Sequence, residues 1–316
     1  MSSFPTAQPA PTEGSAGVAP EPRVPAVVPS ASEMFLDRDH SILAFNERVF
    51  DWACRPDVPL LERLRYLCIV SSNLDEFFEV RAAPHITAAQ SGDHEGACTV
   101  ATCEALMAKA QNLVERQYAL YNDALVPAFA AKGIRIVSHG ERTAEQRRWV
   151  QEYFQREVQP LLIPVGLDPA HPFPLVANKS LNFIVRLKGS DAFGRNNEIA
   201  IVRVPRVLPR VIRMPDRVVA KGSMYVLLSS VIRAHLADLF TGREVTEFSQ
   251  FRVTRHSDLA VDEEDVRNLR TALRKGLQQR HFGQAVRLEV SSSCSPFLAD
   301  FLQSQFGLPS GALFHV

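Results

Sequence analysis

Ser71-Ser72-Asn73-Leu74-Asp75-Glu76-Phe77-Phe78-Glu79-Val80-Arg81 follows an apolar run in which Leu60, Leu64, Leu67 and Cys68 share one helix face. Two serines and an asparagine interrupt that run. Asn73 suits the cap of a new helix, with Glu76 three residues later closing a capping box; Ser72 with Asp75 is the competing register. Either register predicts a helix, a tight break and a second helix. Helix N-termini present free backbone N–H groups and partial positive charge, which makes them recurrent ligand sites. Asp75 and Glu76 already occupy that potential, so an uncharged part of a nucleotide or a metal-bound phosphate fits better than a naked phosphate. Asn73 is therefore either a plain helix cap or a ligand contact.

Outward from this stretch the pattern stays helical from Glu33 to Gly133. Phe45, Val49 and Trp52 form one stripe of a helix ending near Arg55-Pro56, and Pro59 suits the first turn of the next. The helix from about Leu74 is expected to fade near Ser91-Gly92. Leu106, Leu113 and Leu120 recur every seven residues beside Met107, Val114 and Tyr121, the broad stripe that a bundle buries. Beyond Gly133 the period changes. Strands are expected at Ile134 to Val137, at the half-buried Leu181 to Leu187 paired antiparallel with Ile199 to Val204, at Met224 to Ser229, at Val245 to Thr254 and at Val286 to Val290. Helices are expected from Thr143 to Val158, from Ser230 to Phe240, from an Asp262 cap to Arg280 and His281, and from Pro296 to Phe306. The fold class is multi-domain: a tail at 1–32, an all-α bundle at 33–133 and an α+β domain at 134–316. Seven prolines in the first thirty residues make that tail disordered rather than helical or a signal peptide.

Formal charge is zero, with 35 basic and 35 acidic side chains, so no overall field favours nucleic acid or anionic membrane. No apolar run reaches the roughly 20 residues needed to cross a bilayer. Five cysteines without metal spacing imply free thiols, a reducing cytoplasmic compartment and no zinc; Cys68 reads as a small buried hydrophobe. There is no Gly-x-x-x-x-Gly-Lys-Ser/Thr loop and no glycine-rich kinase loop.

Phe45-Asn46-Glu47-Arg48-Val49, Pro59-Leu60-Leu61-Glu62-Arg63-Leu64-Arg65-Tyr66-Leu67, Ser72-Asn73-Leu74-Asp75-Glu76-Phe77 and Val80-Arg81 together resemble the N-terminal domain of bacterial polyphosphate kinases. His171-Pro172-Phe173-Pro174 and Asn178-Lys179-Ser180-Leu181-Asn182-Phe183 resemble the start of that family's head domain, which is associated with dimer contacts. The match covers about Phe35 to the end. It departs upstream, where His40-Ser41-Ile42-Leu43-Ala44-Phe45 lacks the family's usual tryptophan.

The resemblance implies reversible transfer of the terminal phosphate of ATP to polyphosphate through a phosphohistidine. It makes Asn73 an ATP-binding residue, with Arg48 and Arg81 as accessory candidates that otherwise read as surface or inter-helix salt-bridge residues. It also implies ATP with Mg as cofactor, ATP/ADP and inorganic polyphosphate as partners, a homodimer or higher homo-oligomer, and a cytoplasmic protein, free or peripheral to the inner membrane. The family's catalytic half carries His-x-Lys, and none of the nine histidines here is followed two positions later by lysine. The chain is thus expected to be a truncated N-terminal portion, inactive alone and without catalytic or metal residues. The alternative is a non-catalytic dimerisation or regulatory module. Arg203, Arg206, Arg210, Arg213 and Arg217 read either as a phosphate-chain contact or as a solvated strand edge, Asn178-Lys179 as an anion contact or a turn, and His171 as a loop residue.

Overall fold

The computed structural model describes residues 36–168, 172–190, 194, 197–257 and 283–316. The Pro/Ala-rich tail, His171 and the helix expected from Asp262 to His281 lie outside the described residues. Arg38–Val316 pack as one compact unit.

The first part of this unit is helical: α1 (Arg38–Cys54), α2 (Leu60–Val80), α3 (Ala82–Ser91), α4 (Val100–Ala119) and α5 (Val126–Ala131). A π-type turn, Leu120–Leu125, joins the last two. The break expected at Ser72-Asn73 does not occur, because α2 runs straight through it. Leu67, Val70, Leu74, Phe77 and Phe78 keep an unbroken buried register across the three polar residues. Ser71 and Asn73 find partners on neighbouring helices and so do not compete for their own backbone. Gln117 Nε2 donates to Ser71 Oγ at 2.5 Å, and Asn73 Nδ2 donates to Asn46 Oδ1 at 3.0 Å. The chain breaks instead at Arg81, which ends α2 and precedes α3.

The inward face of α1 is also offset from the expected stripe. Leu43, Asn46, Phe50 and Ala53 are buried, whereas Phe45 and Trp52 are 54% and 45% exposed. Trp52 stacks on Tyr66 at the surface, and Cys68 is exposed rather than buried. In α4 the two heptad columns do face inward, with Leu106, Met107, Leu113 and Val114 buried.

The second part is α+β. Strands β1 (Ile134–Ile136), β6 (Ser223–Leu227) and β5 (Val211–Arg213) form a small sheet in the order β1-β6-β5, with β1 parallel to β6. A larger sheet has the order β2-β4-β3-β7-β8-β9, from β2 (Ile163–Gly166), β3 (Asn182–Lys188), β4 (Ile199–Arg203), β7 (Glu244–Arg255), β8 (Ala285–Val290) and β9 (Leu313–His315). All its pairings are antiparallel except β8 with β9. Helices α6 (Ala144–Tyr153), α7 (Leu228–Ala234) and α8 (Pro296–Phe306) complete this part.

Strand β3 is buried on both faces, not on one. Phe183, Val185 and Leu187 pack into the core with α6 and α7, while Ile184 packs on the opposite side with Leu298 and Leu302 of α8. Central strands covered by two layers lose the alternation that marks a half-solvated strand. The helical part does not close on itself either, since Val286 of β8 and Phe314 of β9 lie in the same core cluster as Phe77, Phe78 and Leu106.

Candidate functional site

Two asparagines form the polar centre of the α1–α2 contact. Asn46, 2% exposed, occupies the position between Leu43 and Phe50 where the buried stripe of α1 would otherwise be apolar. Its amino group donates to the Val70 carbonyl at 3.0 Å, which commits its carboxamide oxygen to the other side. Asn73 Nδ2 bonds that oxygen, so the orientation of the Asn73 carboxamide is fixed by Asn46. The Asn73 oxygen then makes no hydrogen bond among the described residues, and Asn73 is half-buried. The result is a hydrogen-bond acceptor at the rim of two packed helices.

Helix α2 is clamped on its other side by charge. Asp75 accepts two hydrogen bonds from Arg252, at 2.9 and 3.0 Å, and one from Arg287 at 2.5 Å. Both arginines also reach Glu289, at 2.6 and 3.1 Å. Arg287 is 1% exposed and lies between the rings of Phe78 and Phe314, 4.6 and 5.7 Å from their centroids. Burial would lower the Arg252 pKa, but Glu289 and Asp75 outweigh it and push it up. A turn later, the Glu79 carboxylate takes Asn178 Nδ2 at 2.5 Å and Lys179 Nζ at 2.9 Å, and its carbonyl accepts from Ser257 N–H at 2.8 Å. The Asn178-Lys179 turn, with Lys179 at φ 55°, is thus the clamp on the end of α2.

The accessory candidates lie elsewhere and are not brought to Asn73. Arg48 is exposed, with its guanidinium over the Phe45 ring. Arg81 donates to Asp39 Oδ1 at 2.8 Å, and His85 Nε2 contacts Asp39 Oδ2 at 2.9 Å. Burial pushes the Asp39 carboxyl up, yet the hydrogen bonds from His85 and Arg81 prevail and hold it below the usual carboxylate value. Stability from a depressed carboxylate is present above its unfolded pKa and is lost as pH falls through the folded one. Asp39→Asn is therefore expected to cost about 1–3 kcal/mol at pH 7. In urea titrations the gap between wild type and variant should shrink as pH falls from the ordinary carboxylate range through the depressed folded value.

Sequence reasoning missed Asn46 as the residue that orients Asn73. Its signal was a polar side chain on the 43-46-50-53 stripe. Among the described residues, no group of three His, Cys, Asp or Glu side chains could hold a metal ion, and no helix is long and apolar enough to cross a membrane.

Two family models match: the polyphosphate kinase N-terminal domain over residues 35–137, and the polyphosphate kinase middle domain over residues 145–316. The chain belongs to the polyphosphate kinase family. It is 48% identical over 285 residues to a polyphosphate kinase of Neisseria meningitidis serogroup B, a match covering 89% of this chain and 42% of that one. It is 47% identical over 292 residues to the polyphosphate kinase of Pseudomonas syringae pv. tomato, covering 90% of this chain and 39% of the other. The crystal structure of polyphosphate kinase from Porphyromonas gingivalis superposes with a TM-score of 0.71 at 25% identity, over 89% of this chain and 39% of that one. The chain thus spans about 40% of the length of its polyphosphate kinase relatives.

Proposed function

We propose that this chain is the nucleotide-rim and head portion of a polyphosphate kinase, which reversibly transfers the terminal phosphate of ATP to polyphosphate through a phosphohistidine. The observation that carries this reading is the Asn46–Asn73 pair. A buried asparagine holds a half-buried one by its amino group, which leaves the Asn73 carboxamide oxygen without a hydrogen bond among the described residues. An acceptor held in place suits a neutral donor on the nucleotide, an exocyclic amine or a ribose hydroxyl, and leaves phosphate binding to other residues. ATP enters as its Mg complex and ADP leaves. The phosphohistidine belongs to sequence outside this chain, which is inactive alone, and the working enzyme is a cytoplasmic homodimer or higher homo-oligomer.

The test is to mix this chain with separately produced catalytic domains of the family and measure ATP-dependent polyphosphate synthesis. Asn73→Ala is expected to raise the ATP concentration for half-maximal rate about tenfold, the worth of one well-placed hydrogen bond, and to cost about 1–3 kcal/mol in urea unfolding because the buried Asn46 oxygen loses its donor. Synthesis by this chain unaided would contradict the reading. So would an ATP requirement indifferent to Asn73→Ala in a folded protein.

A further inference from the structure

Strands β1 and β6 run parallel, with Ile134 opposite Ser223 and Ile136 opposite Tyr225. Val137 N–H extends the pairing to the Tyr225 carbonyl at 2.8 Å. Their carboxyl ends therefore open side by side, β1 into the short turn His139–Glu141 and β6 into α7. In open α/β sheets ligands bind outside the carboxyl ends of the strands, and the same ends of β1 and β6 meet here.

Arg142 follows that turn and is 3% exposed. Its Nη2 donates to Ser230 Oγ of α7 at 2.5 Å, while its Nε is sealed from solvent with no partner. Among the described residues no carboxylate pairs with it. Its neighbours are instead other cations. Arg147 Nη1 donates to the Arg142 carbonyl at 2.7 Å. Burial, and then the charges of Arg142, Arg233, His235 and Arg147, hold the His139 imidazole below its ordinary pKa. The carboxylates at hand are engaged: Asp238 with His235 at 3.0 Å, and Glu141 with Ser138 Oγ at 2.9 Å. A guanidinium does not shed its proton, and a buried cation without a counter-ion is costly.

We propose that the junction of this turn with α7 is a binding site for a phosphate-type oxyanion, held by Arg142 with His139 and Arg233 at its edge. With Nε sealed and Nη2 given to Ser230, Nη1 is the guanidinium nitrogen left for an anion oxygen, and Arg147 and Arg233 extend the positive surface outward, which favours a chain of phosphates over a single one. The site is separate from the Asn46–Asn73 rim and does not rest on the role proposed for it. It also differs from the Arg203–Arg217 run, where Arg206 donates to the Asn178 carbonyl and Arg213 pairs with Asp216.

The test is calorimetric titration of the 316-residue chain at low salt with orthophosphate and with tripolyphosphate. Orthophosphate is expected to bind with a Kd on the order of millimolar, and tripolyphosphate about tenfold more tightly. Arg142→Gln should lower either affinity about tenfold or more. Because Arg142 lies in the core, the surface double variant His139→Ala with Arg233→Ala gives an independent reading. It should weaken tripolyphosphate about fivefold while leaving the melting temperature of the ligand-free protein unchanged. Equal affinity for the two anions would assign the site to one phosphoryl group, and tighter tripolyphosphate binding to a chain. Failure of both anions to bind, or binding that the surface variant does not weaken, would overturn the proposal.

Discussion

Replacing Arg287 by methionine is expected to cost the fold about 3–5 kcal/mol in urea unfolding at neutral pH. The size follows from what is left behind. Arg287 is sealed between Phe78 and Phe314 and bonds both Asp75 and Glu289, so its removal leaves two carboxylates to share Arg252. Methionine keeps most of the volume, which removes cavity formation as the cause. The triple variant Arg287→Met, Asp75→Asn, Glu289→Gln should recover much of the loss, because taking away an ion cluster whole is far less damaging than breaking it. A single-variant cost below about 1 kcal/mol would mean that solvent reaches the cluster and screens it. The network also has a positional consequence. Asp75 is two residues from Asn73 on the same helix, so the arginines of β7 and β8 set the height and rotation at which α2 presents its rim.

Little of that network is legible in the sequence. Arg252 and Arg287 lie 177 and 212 residues from Asp75, and no local period links them. The same limit explains the misplaced helix break. Ser72, Asn73 and Glu76 carry every local mark of an N-terminus, but those marks assume that the side chains must bond their own backbone. Gln117, from 46 residues away, and Asn46, from 27, supply partners instead and the helix continues. Where the deciding interactions are local, sequence and structure agree. Thr143 caps its helix in a reciprocal box with Gln146, Ser295 opens the helix Pro296–Phe306, and β3 and β4 pair antiparallel. The three-residue strands β5 and β9 and the edge strand β2 escaped notice. Each is too short for alternation to show and is held by its neighbour's backbone. The cations around Arg142 escaped for the reason Arg287 did: Ser230 and Arg233 reach them only through the parallel β1–β6 pairing.

That pairing has a point of failure, and Gly222→Ala is expected to expose it. Gly222 has φ +78°, where an L side chain costs about 1–2 kcal/mol. A Cβ there would also sit 2.3 Å from the Gly133 carbonyl oxygen and 3.1 Å from its carbon, backbone atoms that no rotamer change can move aside. The same oxygen accepts the Ser223 N–H at 2.8 Å, so relieving the clash pulls β6 away from β1 and forfeits backbone bonds worth about 1 kcal/mol each. The total is about 3–4 kcal/mol in urea unfolding. Gly133→Ala is the internal control: its φ is also +78°, but its Cβ would meet only the Gly222 Cα, at 3.8 Å, an ordinary contact. It should therefore cost about 1–2 kcal/mol, the backbone strain alone. Equal losses for the two variants would show that strain rather than contact governs this junction. A larger loss for Gly222→Ala, with phosphate binding weakened in the protein that remains folded, would locate the close approach of the two glycines as what keeps Ser230 against Arg142.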